Sequence, residues 1–137
     1  MTMEVALRRR LMDAAPVTQL TATWEQFPCI FWSVRPEGSP FPAIVLTLVY
    51  DDRSQNFEGF NVFRPSRVQI DCYALDYPTV AALREAVIAA VVPEPAESIQ
   101  GVRFLRAFIN TVVDRGDQTD TGFVHRQLLD VTVWHDA

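Results

Sequence analysis

Hydrophobic and polar positions change their period near the middle of the chain, within residues 67–91. In the first part, Val68, Ile70 and Cys72 alternate with polar residues, and successive side chains of a strand point to opposite faces. This alternation predicts a strand with one buried face. In the second part the period lengthens to about 3.6 residues, which predicts a helix that packs on the sheet.

The sequence also marks the two ends of this helix. Asp76 can accept hydrogen bonds from the free N–H groups of the first turn, and Pro78 is tolerated there because its missing donor would be unpaired anyway. Pro93-Glu94-Pro95 ends the helix. The predicted buried positions are Val80, Leu83, Val87 and Val91, with Arg84 and Glu85 on the opposite side.

The remaining segments predict a fold of the α+β class. Residues 3–14 have an amphipathic helical pattern that ends before Pro16, whereas residues 17–28 show no clear period. Strands are predicted for residues 29–34, 42–51, 102–113 and 123–134. We therefore expect a single domain over residues 1–137, with two helices packed on an antiparallel sheet of four to five strands and one long hairpin loop.

That long loop, residues 52–66, is the most unusual segment of the chain. It joins two strands predicted to pair antiparallel, and it is longer than most hairpin connections. It contains Phe57, Phe60 and Phe63. The phenylalanines either fold back on the core as a lid, which could close over a small ligand, or contact another chain, since aromatic residues dominate interface energetics. Both interpretations remain open at this point.

Composition limits the classes of function. The hydrophobic fraction of 49% and the charged fraction of 21% are typical of globular proteins, and no apolar run is long enough to span a bilayer. Three arginines, residues 8–10, stand where a secretory leader would be apolar, so we expect synthesis inside the cell. The chain has 17 acidic and 12 basic residues and a net charge of −5, which argues against DNA binding as its task.

A cysteine-dependent enzyme is the alternative from another class. It would need Cys72 near His125 or His135, with an acid such as Asp130 to orient the imidazole ring. The strand pattern instead predicts that Cys72 is packed inside, whereas a reactive thiolate needs an exposed, electropositive setting. Cys29 is likewise expected to be a buried thiol, and both histidines to lie at an edge or on the surface.

The acidic and histidine residues of the second half do not form a recognisable metal motif. Asp114, Asp117 and Asp120 are spaced three apart, which does not match an EF-hand loop and is typical of a solvated turn. The two histidines lie ten positions apart on one predicted strand and are too distant to share a metal. The sequence therefore predicts no catalytic residue, no cofactor site and no metal site.

Two stretches of the chain resemble the tail-completion or tail-terminator proteins of long-tailed bacteriophages and gene transfer agents. The first is RVQIDCYALDYPTVAALREAVIAAV at residues 67–91, and the second is DTGFVHRQLLDVTVWH at residues 120–135. Asp120-Thr121-Gly122 with His125-Arg126 looks like the final hairpin of that family. The N-terminal helix fits too, whereas residues 17–28 and 52–66 match no fixed pattern.

The resemblance implies a structural role in a virion. Copies of such a protein assemble into a six-fold ring that terminates the tail tube and joins it to the neck. The implied partners are a tail tube protein and a neck or connector protein, and DNA passes through the ring without specific binding. The implied location is the virion tail or neck, after synthesis in the bacterial cytoplasm, with no membrane association. A stopper or adaptor of the same neck is the nearest alternative.

Two groups of residues follow as expected site residues. Phe57, Phe60, Phe63 and Arg64 are the expected contacts with an adjacent subunit or a tail protein. Asp51, Asp52 and Glu58 are expected near the bore of the ring, where negative charge repels the phosphates of DNA and lets the duplex slide.

Overall fold

The computed structural model describes residues 2–60, 62–92, 97–99, 101–120 and 122–136. The predicted helix terminator Pro93-Glu94-Pro95 and Thr121 of the closing motif lie outside them. Within the described residues the helices are α1 (Met3–Asp13), α2 (Ala15–Thr18) and α3 (Tyr77–Val91). The strands are β1 (Thr23–Trp24), β2 (Phe27–Pro28), β3 (Ile30–Trp32), β4 (Ala43–Asp51), β5 (Gln55–Asn56), β6 (Gly59–Phe60), β7 (Arg64–Ala74), β8 (Glu97–Ile99), β9 (Val102–Asp114), β10 (Asp117–Thr119) and β11 (Gly122–His135).

Among the described residues, a mixed sheet of seven strands forms the centre of the fold. Its order is β3-β4-β7-β11-β9-β8, and β10 pairs with β11 beside this path. β3 runs parallel to β4, whereas the other pairs are antiparallel. The α+β class agrees with the prediction. The predicted antiparallel sheet of four to five strands is smaller than the observed one and does not include the parallel pair of β3 and β4. β8 and β10 lie in two segments that the sequence marks as connections, where the polar residues hide a strand of three residues.

The predicted strand and helix at residues 67–91 are confirmed as β7 and α3. β7 lies between β4 and β11, and Val68, Ile70 and Cys72 are fully buried. The backbone N–H of Thr79 donates to Asp76 Oδ1 at 2.9 Å, which caps α3. The four predicted helical positions are buried against the sheet. Arg84 was predicted to lie on the side of α3 away from the sheet, but its Nη1 donates a hydrogen bond to Gln127 Oε1 on β11 at 2.9 Å.

Two segments without a predicted period contain short elements. Residues 17–28 include the end of α2 and a small hairpin in which β1 pairs with β2. In the predicted loop at residues 52–66, β5 pairs with β6, and β7 already begins at Arg64. The predicted long hairpin connection between β4 and β7 is therefore present, and it contains a short two-stranded hairpin of its own.

The sheet face opposite the helices carries cross-strand ion pairs between β7 and β11. Arg67 Nε donates to Asp130 Oδ1 at 2.8 Å, and Arg126 Nε donates to Asp71 Oδ1 at 3.0 Å. Asp71 is buried, with 3% of its surface exposed, although its position in the strand had placed it on the outward face. The arginine makes this burial tolerable, because a buried carboxylate needs a hydrogen-bonded partner.

The Arg67–Asp130 pair predicts a pH-dependent contribution to stability. Hydrogen bonds from Arg67 hold the pKa of the Asp130 carboxyl below its ordinary value. A lowered pKa in the folded state gives stability that is present above the unfolded pKa, about 3.9, and is lost as the pH falls through the folded pKa. Asp130→Asn should therefore be less stable than the wild type near neutral pH. The difference in unfolding free energy between the two proteins should become smaller as the pH is lowered to about 3.

Urea unfolding of both proteins at the two pH values measures this effect. Comparison of the two chains cancels the contributions of the other carboxyl groups. An equal difference at both pH values would show that the charge of Asp130 does not contribute to stability.

Candidate assembly surface

The hairpin formed by β5 and β6 projects from one end of the central sheet. It connects the end of β4 to the start of β7, and its tip is Phe57-Glu58. Asn56 Oδ1 accepts the backbone N–H of Glu58 at 2.8 Å, a local bond that favours a tight turn. Gly59 follows with a φ of 121°, which glycine adopts readily. The sequence thus fixes a defined turn at this tip.

The phenylalanines of this connection divide into two kinds. Phe57 is fully exposed at the tip, and Phe60 is 64% exposed on β6. Phe63 is half-buried, and the guanidinium of Arg103 lies 5.7 Å from the centre of its ring. Phe57 and Phe60 therefore do not fold back on the core, whereas Phe63 packs partly against the body of the protein.

Arg64 and Asp51 hold the base of the hairpin against the sheet. Asp51 accepts hydrogen bonds from Arg64 at 2.9 Å, from Arg53 at 2.8 Å and from Ser66 at 3.1 Å. Burial raises the pKa of Asp51, but these hydrogen bonds and the arginine charges outweigh burial and lower it. The side chain of Arg64 is only 16% exposed. Of the predicted interface residues, Arg64 thus lies beneath the hairpin, and the charge of Asp51 is balanced locally.

Asp52 and Glu58 lie on the hairpin itself. Asp52 Oδ1 accepts a hydrogen bond from Ser54 Oγ at 2.9 Å, and its backbone N–H donates to the carbonyl of Pro65 at 3.1 Å. Glu58 is exposed at the tip beside Phe57. Residues 51–60 carry three carboxylates and one arginine, so the projecting hairpin is an acidic as well as an aromatic surface.

A cavity of about 400 Å³ lies at the opposite end of β4 and β7. It is built from the turn after β3, the start of β4, the end of β7, and the β10 hairpin with the start of β11. The lining side chains combine aromatic, aliphatic and cationic groups; they are Ser33, Val34, Arg35, Phe41, Val45, Tyr73, Arg115, Gly116, Asp117, Thr119, Val124 and Arg126.

Aromatic rings hold two of the cavity arginines in place. The guanidinium of Arg35 lies 4.3 Å from the ring centre of Phe41, and that of Arg126 lies 5.6 Å from the ring centre of Tyr73. The two rings are themselves 6.1 Å apart. Cation–π contacts of this kind fix long cationic side chains without removing their charge. The cavity therefore has an aromatic wall and a positively charged rim.

Cys72 does not meet the requirements of a catalytic thiol. It is fully buried, and burial raises its pKa well above the ordinary value of a thiol. Asp130 lies on the opposite face of the sheet, where it is bound to Arg67. His135 pairs with Arg64, eight positions along β7 from Cys72, which corresponds to roughly 26 Å. His125 is nearer, since it pairs with Ala74, and its ring packs against Tyr77 and Phe123. Cys29 is buried too, and desolvation likewise raises its pKa.

The prediction that both histidines lie at an edge or on the surface is wrong for His135, which is 1% exposed. Its Nε2 lies 2.6 Å from Ser66 Oγ, and Ser66 also contacts Asp51. This group contains the residue types of a serine hydrolase, but Ser66 donates a hydrogen bond to Asp51 and has no exposed surface, so a substrate cannot reach it. Alternation along β11, with Val131 and Val133 on the buried face, could have predicted the burial of His135.

The aspartates considered for calcium are exposed but do not converge on one point. Asp114 is the last residue of β9, and its Oδ1 accepts a hydrogen bond from Gln127 Nε2 at 2.7 Å, while Asp117 lies on β10. Among the described residues, no three histidine, cysteine or acidic side chains are grouped as a metal site would require. Over the same residues, none of the helices has the length and apolar character needed to cross a membrane.

These features define an α+β protein with helices on one sheet face, an exposed acidic and aromatic hairpin at one end, and an arginine-rimmed cavity at the other. Neither a protein-family model nor a curated protein sequence matches the chain. Its fold is similar to that of a solved chain in the virion of a native gene transfer agent particle. The TM-score is 0.66 at 16% sequence identity, over 98% of this chain and 95% of that chain.

Proposed function

We propose that this protein is a structural component of a phage-like virion, in which its copies form a six-fold ring that terminates the tail tube and joins it to the neck. The observation that carries the proposal is the projecting hairpin with Phe57 and Phe60, on a fold similar to that of a gene transfer agent virion chain. In a ring, one surface of each subunit meets a different surface of the next. Exposed aromatic side chains on a projection suit such a contact.

The proposed partners are further copies of this chain, a tail tube protein and a neck or connector protein. DNA passes through the ring without specific binding, and Asp52 and Glu58 are the acidic residues we place near the bore. Asp51 contributes less negative charge there, because Arg53 and Arg64 balance it. A stopper or adaptor of the same neck would use the same surfaces, and labelling of the protein in assembled particles distinguishes these roles.

Two alternatives lose support from the geometry. A thiol enzyme centred on Cys72 would need access to a group that is fully buried. A lid over a small ligand would need the hairpin to reach the 400 Å³ cavity, but the two lie at opposite ends of β4 and β7. The pocket at the base of the hairpin, beside Asp51 and Arg64, has a volume of only about 170 Å³, which is smaller than a typical small-molecule site. A structural role without catalysis therefore fits the described residues better than either alternative.

Light scattering and negative-stain electron microscopy of the purified protein test the proposal. We expect closed rings with a central opening, formed either by the protein alone or on added tail tubes. The mass should be a multiple of the 15.5 kDa subunit. Monomers that persist even in the presence of tail tubes would contradict the proposal.

A further inference from the structure

This inference rests on the proposed ring. The hairpin and the cavity lie at the two ends of the sheet, and their positions indicate how neighbouring subunits contact each other. The hairpin tip lies beyond the end of β4, and the cavity lies beside Val45 near the start of β4. The stretch of β4 from Val45 to Asp51 spans roughly 20 Å. The hairpin of one subunit therefore cannot enter the cavity of the same subunit. A second copy that is displaced along the strands can supply the hairpin.

Charge makes the two ends complementary. The cavity is lined by Arg35, Arg115 and Arg126 together with Asp117. The buried Asp71 binds Arg126, which leaves Arg35 and Arg115 against one aspartate, although the chain as a whole is acidic. The hairpin has the opposite balance, because Arg53 and Arg64 both bind Asp51 at its base and the carboxylates of Asp52 and Glu58 lie on the hairpin itself. Complementary potentials of this kind select a partner and its orientation. They favour a contact between the hairpin end of one copy and the cavity end of the next.

The chemistry of the cavity suits the hairpin tip in more detail. The aromatic wall, which includes Phe41 and Tyr73, can pack against another ring, and aromatic pairs stabilise such contacts beyond their buried area. The rim arginines can bind an adjacent carboxylate. Phe57-Glu58 offers a ring and a carboxylate side by side, both exposed. An aromatic anchor that fills a pocket is the usual centre of a strong interface.

We propose that the side chain of Phe57 occupies the cavity of the neighbouring subunit, where Glu58 pairs with Arg115 at the rim. The contact is heterologous, since a hairpin meets a cavity and each subunit offers one of each. Repetition of the same contact closes a ring when the rotation between neighbours divides a full turn evenly. The cavity, which lies between four separate segments of the chain, thereby becomes the receptor half of the subunit interface.

Disulfide cross-linking tests this contact directly. The double variant Phe57→Cys with Val34→Cys places one thiol at the tip and one on the cavity wall. Both positions are exposed, so the fold should be retained, and the native cysteines are buried and should not compete. Mild oxidation should give a ladder of linked subunits on a denaturing gel. Equimolar Phe57→Cys and Val34→Cys chains should give linked dimers only, and neither chain alone should cross-link.

The control is Phe57→Cys combined with Val5→Cys, which places the second thiol on the exposed side of α1, outside the cavity. This pair should not form the ladder. A charge-reversal pair adds a second readout: Glu58→Arg and Arg115→Glu should each weaken assembly roughly tenfold, and their combination should restore it.

The outcomes separate this inference from the proposed function. Rings seen by microscopy without the specific cross-link would overturn the tip-in-cavity contact and leave the ring proposal standing. Equal cross-linking by the Val5 control would also overturn it. Monomers only, with or without tail tubes, would overturn both proposals.

Discussion

Replacement of Leu83 by alanine is expected to lower the free energy of unfolding by about 2–5 kcal/mol. Leu83 lies in the middle of α3 with no exposed surface, on the face that packs against β7 and β11. The fully formed sheet beneath cannot collapse into the space that the shorter side chain leaves, so lost burial and the residual cavity both destabilise the fold. Urea unfolding followed by circular dichroism measures the change.

Glu85→Ala on the exposed side of the same helix is the matched control. Its side chain is 65% exposed and bonded to Arg84, so its removal should change the stability by no more than about 0.5 kcal/mol. If Leu83→Ala were as mild as this control, α3 could not be docked on the sheet in solution as it is in the structure.

The centre of the fold could be predicted from the sequence because its signals are local. The alternation that ends at Cys72 and the helical period that begins after Asp76 each lie within one segment, and the cap requires only Asp76 and Thr79. The strands of the second half were predicted for the same reason. Their apolar periods extend over more than ten residues, and β9 and β11 pair along most of their length.

What could not be predicted depends on distant partners. Asp71 had the position of an outward residue and is buried because Arg126, on another strand, pairs with it. β3 is only three residues long and runs parallel to β4, an arrangement set by the intervening chain rather than by a local period. The cavity combines side chains from four segments of the chain, and no single segment carries a signal for it.

The candidate assembly surface likewise has features that the sequence predicts and features that only the fold shows. The aromatic character of residues 57–63 was visible in the sequence and suggested either a lid or a contact with another chain. Only the fold shows that Phe57 and Phe60 project into solvent while Phe63 and Arg64 anchor the hairpin. The fold also places the acidic hairpin and the arginine-rimmed cavity at opposite ends of the same two strands. That separation is the basis of the head-to-tail contact between copies that we propose.

Replacement of Phe60 by serine is expected to weaken assembly by roughly 30-fold, the effect of losing about 2 kcal/mol at an interface hot spot. Phe60 is 64% exposed and pairs with Gln55 in the small hairpin, so its removal takes away apolar contact area without opening a hole in the core. The isolated subunit should keep its circular dichroism spectrum and its unfolding midpoint. Light scattering across a concentration series gives the loss of assembly directly.

Phe27→Ser provides the matched control, because Phe27 is also an exposed phenylalanine in a two-stranded hairpin, at 58% exposure, but lies on β2. It should leave assembly unchanged, which separates a specific contact from a general loss of surface hydrophobicity. If Phe60→Ser unfolded the subunit, Phe60 would belong to the core, and the hairpin would lose its place as the assembly surface. Equal weakening by both substitutions would likewise exclude a specific role for this hairpin.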